Sequence, residues 1–218
     1  MKSNYERHLP HQIPDLHPLF LTWNLKGAMP RHVWRMLQRE RRRLKLLPKR
    51  VGESSQDRSA RHNKILFALA DRALDSASEG PMHLRDPAAA KMVEDSIIFG
   101  VSERYELYAW CVMSNHVHVL LKPLWELKDI TQGIKGYTAH EINTLQNARG
   151  RVFWQDESYD HWARDDEEML RIIHYIENNP VVAGLCALPK DWPWSSARFR
   201  DSWPPGQPLI KSTSAFRG

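Results

Sequence analysis

Two histidines one residue apart, His116 and His118, sit in the run Asn115-His116-Val117-His118-Val119-Leu120-Leu121. A strand alternates its side chains between two faces, so both imidazoles project to one side and Val117 and Val119 to the other. Neutral imidazole is a good ligand for divalent transition metals near neutral pH. The pair reads either as a rigid two-pronged metal clip or as a strand edge that shows two histidines to solvent. Further along, Tyr175 and Asn179 are four residues apart, which puts them on one face of a helix. A phenol and a carboxamide so placed can act as a nucleophile and a third metal ligand. The competing reading is a half-buried tyrosine with Asn179 capping the helix end. Tyr159 is the other tyrosine to weigh, because Asp160 and His161 follow it directly. His161 is either near the site or part of a surface hairpin.

The elements that must carry these groups are legible from pattern. Tyr105 to Met113 is a strand, and the short turn-prone link Ser114-Asn115 joins it as a hairpin to the histidine strand. Asp165 is an N-cap with Glu168 three residues later, as in a capping box, and Leu170, Ile172, Ile173 and Ile176 give the helix its apolar stripe. Pro180 is expected to end that helix. Leu19 to Leu25 reads as a first strand. Residues 31–50 hold nine Lys or Arg and one acid, Glu40. Val33, Met36, Leu37, Leu44 and Leu47 give this segment a helical stripe. We read it as a phosphate-binding helix in which Arg35, Arg39, Arg42 and Arg43 contact DNA. Residues 51–60 read as a mobile loop, with helix resuming near Ile65. Asp86 or Pro87 opens another helix. A long helix is expected from about Leu124 to Gln146, with Ile130, Ile134, Tyr137, Ile142 and Leu145 facing the sheet. Arg151–Gln155 and Ser158–Ala163 read as short strands. This order predicts an α+β domain with an antiparallel sheet carrying the histidine pair centrally and helices on its faces.

Composition sets the bounds. A chain of 218 residues with 42% hydrophobic content is long enough for one domain with a real core. No apolar run approaches the roughly 18 residues of a membrane span, and Met1–Glu6 lacks the apolar core of a signal peptide, so a cytoplasmic protein is expected. Two cysteines, Cys111 and Cys186, make no disulfide framework or zinc-finger spacing. The formal net charge of +5 is compatible with a polyanionic partner.

Taken together, these motifs resemble a known family. His116-Val117-His118 matches the HUH motif (His, bulky hydrophobic, His), and Tyr175-Ile176-Glu177-Asn178-Asn179 resembles the tyrosine helix of single-tyrosine HUH transposases. Five blocks in order are similar to REP-associated tyrosine transposases: Arg7–His11, Leu84–Pro87, Trp110–His118, Asn178–Leu185 and Trp192–Ser196. The resemblance covers roughly residues 5–200. Ser114 departs from it, standing where many relatives have Pro, and the segment 51–60 looks like a variable connection.

The resemblance implies a ferredoxin-like, RRM-like HUH domain over residues 1–200 with an N-terminal DNA-contacting arm bearing Arg7 and His8; residues 201–218, rich in Pro, Gly and Ser, read as a tail that is poorly ordered or draped over the body. It implies metal-dependent cleavage and strand transfer of single-stranded DNA carrying REP-type hairpins. The implied nucleophile is Tyr175, forming a 5′-phosphotyrosine link, and the implied ligands are His116, His118 and Asn179. Mg²⁺ or Mn²⁺ would serve, the imidazole pair leaning towards Mn²⁺. The chain would work as a monomer or homodimer. Two other readings are a non-cleaving hairpin-binding module of the same fold and an unrelated His-pair metal hydrolase.

Overall fold

In Leu19-Phe20-Leu21-Thr22-Trp23-Asn24, large apolar residues alternate with a more varied set, the pattern of a strand covered on both faces. In the computed structural model, which describes residues 18–77, 79–156 and 158–209, this run is β1 (Leu19–Asn24). There follow α1 (Arg31–Leu46), α2 (Ser55–Asp75), α3 (Pro87–Phe99), β2 (Tyr105–Val112), β3 (His116–Pro123), α4 (Leu127–Leu145), β4 (Tyr159–Trp162) and α5 (Asp166–Val182). The strands form one antiparallel sheet in the order β2-β3-β1-β4. The α+β class read from the sequence is the one observed, with the histidine strand inside the sheet. Among the described residues no helix is long and apolar enough to cross a membrane.

Register divides the side chains between two layers. Leu19, Leu21 and Trp23 of β1 pair with Leu121, Val119 and Val117 of β3, and this face is covered by Ala89, Val93 and Ile97 of α3 and Ile130, Ile134 and Ile142 of α4. Phe20, Thr22 and Asn24 pair with Leu120, His118 and His116 on the opposite face, where Met169, Ile173 and Ile176 of α5 pack. A register shift between Leu107 and Ala109 of β2 explains why Leu107 and Trp110 share a layer although they are three apart. Each fully buried aliphatic side chain of this kind contributes about 1.5–3 kcal/mol relative to exposure. Residues beyond 200 are partly drawn in. Trp203 stacks on Trp110 with ring centroids 5.9 Å apart, and the Leu209 amide donates to the Leu107 carbonyl at 2.7 Å.

Several elements differ from the sequence expectation. The segment 51–60 is not wholly a loop, because α2 begins at Ser55. Ser54 Oγ accepts from Asp57 N at 3.0 Å and Asp57 Oδ2 accepts from Ser54 N at 3.3 Å, a reciprocal cap. Arg58 then donates to the C-terminal carbonyls of Lys45 and Leu47, and Arg61 pairs with Glu53, which clamps α2 against the end of α1. In α4, Tyr137 and Leu145 are exposed and Thr138 is buried instead, so the sheet-facing stripe is rotated from the one expected. Arg151–Gln155 forms no strand, and only Trp154 bridges to Leu25. Pro180 does not end α5. The stop is Gly184 at φ +69°, where Gly184 N donates to Val181 O at 3.0 Å and Leu185 N to Pro180 O at 2.8 Å, the double bond of a Schellman turn. Replacing Gly184 by Ala forces a Cβ into the left-handed region, so unfolding in urea should show a loss of about 1–2 kcal/mol.

Candidate metal centre

β3 presents His116 and His118 on the face that α2 and α5 cover, and both rings are fully buried. Their outer nitrogens are held from behind. Asn115 Oδ1 lies 2.6 Å from His116 Nδ1, and Asn115 Nδ2 donates to the Leu74 carbonyl at 2.9 Å, which fixes which way the amide points. His116 Nδ1 is therefore the donor, and its Nε2 carries a lone pair. Thr22 Oγ1 lies 2.8 Å from His118 Nδ1. The two Nε2 atoms turn towards each other at 3.0 Å. Burial pushes His116 down to about 3, and burial followed by the neighbouring His116 pushes His118 well below its usual range, so both rings are neutral at physiological pH.

Asp71 and Asp75, one turn apart on α2, complete the centre. Asp71 Oδ1 is 3.4 Å from His118 Nε2 and 3.8 Å from His116 Nε2, while Asp75 Oδ1 is 3.5 Å from His116 Nε2. Ligands about 2.1 Å from one ion stand roughly 3.0–3.4 Å from each other in octahedral or tetrahedral arrangements, close to the spacings here. Asp71, His116 and His118 form a buried set whose donor atoms all lie within 4.8 Å of one another. Three buried oxygens of these neighbouring side chains, Asp71 Oδ1, Asp75 Oδ1 and Asn179 Oδ1, have no hydrogen-bond partner among the described residues. Each such group costs about 1–3 kcal/mol, and a divalent cation offsets all three. Without one, burial, followed by the charge of Asp75, pushes Asp71 up to about 8, and burial pushes Asp75 up to about 6. The residues present thus fit a divalent ion.

The reactive face of α5 meets this centre. Glu168, Ile172, Tyr175 and Asn179 follow helical spacing along one side. The Tyr175 hydroxyl donates to Asp71 Oδ2, so one carboxylate faces the imidazoles with one oxygen and the phenol with the other. The Tyr175 ring is held among Phe20, Phe67 and His118 at centroid distances of 6.0, 6.1 and 5.9 Å. Tyr159 lies flat against Phe67 at 4.0 Å. Asn179 reaches Asp75 through Nδ2 at 3.5 Å. His161, on the same sheet face, is engaged by Glu168 at 3.2 Å. Glu168 also accepts from the Arg164 backbone and guanidinium rather than closing the box expected at Asp165. Burial alone would raise the Glu168 carboxyl, but the hydrogen bonds from Arg164 and His161 outweigh it and bring it down to about 2. This network fixes the start of α5 two turns ahead of the tyrosine.

The structure brings His116, His118, Tyr175 and Asn179 together. Arg35, Arg39 and Arg42 lie exposed on α1, and Arg43, also exposed, is paired with Glu40 at 2.6 Å. Arg7 and His8 lie outside the described residues. Sequence reasoning missed Asp71 and Asp75. Their signal is two acids one turn apart inside the apolar stripe of Leu66, Phe67, Ala70 and Leu74.

Residues 95–179 match a family model described as transposase, IS200 like. A protein of Haemophilus influenzae, named provisionally as a REP-associated tyrosine transposase, is 29% identical over 104 residues, which is 42% of this chain and 58% of that protein. The chain thus spans under two thirds of that relative's length. These two matches bear out the resemblance read from the sequence. A solved structure of a REP-associated tyrosine transposase bound to a REP hairpin shares the fold, with TM-score 0.53 and 18% identity over 92% of this chain and 87% of that one.

Both carboxyls must ionise to bind a cation, so protons compete with metal between pH 6 and 8. An acid raised in the folded state also costs the metal-free fold stability as pH climbs from its unfolded value near 4 towards 8. Mn²⁺ should therefore raise the melting temperature more at pH 8 than at pH 6, by differential scanning calorimetry against an EDTA control.

Proposed function

We propose that this chain cleaves and rejoins single-stranded DNA next to REP-type hairpins, with Tyr175 as nucleophile. The observation that carries the reading is the shared carboxylate, with the Tyr175 phenol on Asp71 Oδ2 and the buried histidine pair beside Asp71 Oδ1. A free phenol has a pKa near 10, so it needs a proton acceptor at the moment of attack. Asp71 Oδ2 takes that proton as the Tyr175 oxygen bonds to phosphorus. The bond from phosphorus to the 3′ oxygen breaks, and a proton from solvent completes the 3′ hydroxyl. The 5′ phosphate stays on Tyr175 until a 3′ hydroxyl attacks in the reverse sense.

His116, His118 and Asp71, with Asp75 and Asn179 at their side, would hold Mg²⁺ or Mn²⁺, which supplies charge for the phosphate oxygens. The tyrosine's partial exposure leaves it open to a strand from outside, while its acceptor is buried. The basic face of α1 bearing Arg35, Arg39 and Arg42 holds the backbone of the strand by charge.

A denaturing gel tests the chemistry. Hairpin DNA with single-stranded flanks and Mn²⁺ should give a covalent protein–DNA band that EDTA and Tyr175→Phe both abolish. A band surviving in Tyr175→Phe moves the nucleophile to Tyr159. Hairpin binding with no band under any divalent ion makes the chain a binding module. Separately, changing Arg35, Arg39 and Arg42 to Ala should flatten the dependence of log affinity on log salt by roughly 2, as three lost phosphate contacts on a single strand require.

A further inference from the structure

A cavity of about 390 Å³ opens between α1, α2 and the β1–β4 edge of the sheet. Pockets for small ligands run from about 300 to 1,000 Å³, so this one takes a single planar heterocycle with room for its sugar. Asp71 and Thr22 lie in its wall. The first touches the Tyr175 hydroxyl, and the second holds His118. The cavity is thus contiguous with the candidate metal centre.

Its lining mixes aromatic and amide groups with the charged Arg41, Asp71 and Asp160. Half-buried Trp34 from α1 and Tyr159 from β4 bring aromatic surface, with Leu37 between the turns of α1. Gln38 and Asn63, both exposed, bring amides from α1 and α2. Trp34, Leu37 and Gln38 follow helical spacing along one side of α1, and Arg35, Arg39 and Arg42 lie exposed elsewhere around the same helix. A helix side that offers an indole, an amide and the guanidinium of Arg41 to the cavity, with further guanidinium groups around it, suits a ligand that is a flat ring tied to an anionic backbone. Aromatic side chains stack on unpaired bases whatever their identity, and amides carry both a donor and an acceptor for a base edge.

We infer that this cavity receives one unpaired nucleobase of the DNA strand, turned out beside the phosphate attacked by Tyr175. The inference rests on the strand-cleaving reading for the nature of the ligand. It adds a subsite that sets which nucleotide is presented. With its base anchored against Trp34, a nucleotide has its sugar-phosphate at the wall that Asp71 shares with the tyrosine.

The test uses binding alone, in EDTA, so that it stands apart from cleavage. Single-stranded flanks of a hairpin oligonucleotide carry 2-aminopurine, or an abasic residue, at each position in turn. In the wild type one position should show quenched fluorescence, and an abasic residue there should weaken binding roughly 5- to 150-fold, the span measured for base–aromatic stacking. Trp34→Ala should lose that quenching, bind the unmodified strand more weakly by a similar factor, and lose nothing further from the abasic residue. Trp34→Phe should recover most of the affinity. Asn63→Ala, at an exposed position, should weaken binding selectively at the same nucleotide. An Mn²⁺ stabilisation of Trp34→Ala equal to that of the wild type verifies that the fold is intact.

If no position is quenched, or if abasic penalties persist unchanged in Trp34→Ala, the subsite is refuted even where the covalent band forms. Quenching at one position without any covalent band retains the subsite and refutes the cleavage reading.

Discussion

Everything at the centre of this protein follows from burying two neutral imidazoles beside two carboxyls. Such a group is unstable on its own, because ionised acids in a dry interior cost several kcal/mol and orphaned oxygens cost about 1–3 kcal/mol each. The fold holds it in place nonetheless. The apolar ladder of Val117, Val119 and Leu121 anchors β3 from behind, and Thr22 and Asn115 occupy the outer nitrogens of the rings. What remains unsatisfied points inward at one small space. The protein's own packing thereby leaves a site that either protons on the carboxyls or a cation would relieve.

The same constraint explains why α2 and α5 both cross this face of the sheet. One helix cannot supply both the carboxylate that faces the imidazoles and the phenol that meets its second oxygen. α2 brings Asp71 and Asp75, α5 brings Tyr175 and Asn179, and the two helices meet through the Tyr175–Asp71 hydrogen bond. The Glu168 cluster sets the start of α5 independently, so the tyrosine is located both by its own hydrogen bond and by the start of its helix.

Much of this was legible in the chain, and the failures have physical causes. His116 and His118 could be read because a strand's period of two is enforced locally. Tyr175 and Asn179 could be read because helical spacing is equally local. Asp71 and Asp75 show only as two acids inside an apolar stripe, and nothing within α2 says that this stripe will lie against a strand some forty residues later. The start of α2 was misread because the polar residues 51–60 look like a loop, although Ser54 and Asp57 already held the spacing of a reciprocal cap. Pro180 was weighed too heavily as a stop. One lost amide bond is tolerable in the last turn, and the left-handed glycine four residues on decides the end. In α4 the misjudged members were Tyr137 and Leu145, residues whose size suggested burial but whose angular position faces solvent.

The clamp at the turn between α1 and α2 has a mechanical meaning. Arg58 of α2 fills the carbonyl end of α1, and Lys49 reaches Ser55 across the turn at 2.7 Å. The two helices are therefore tied to each other through their turn. The arm of α1 bears the exposed Arg35, Arg39 and Arg42, and the arm of α2 carries Asp71 and Asp75. One set of ties thus links the basic surface of the molecule to the helix whose Asp71 lies buried in its interior.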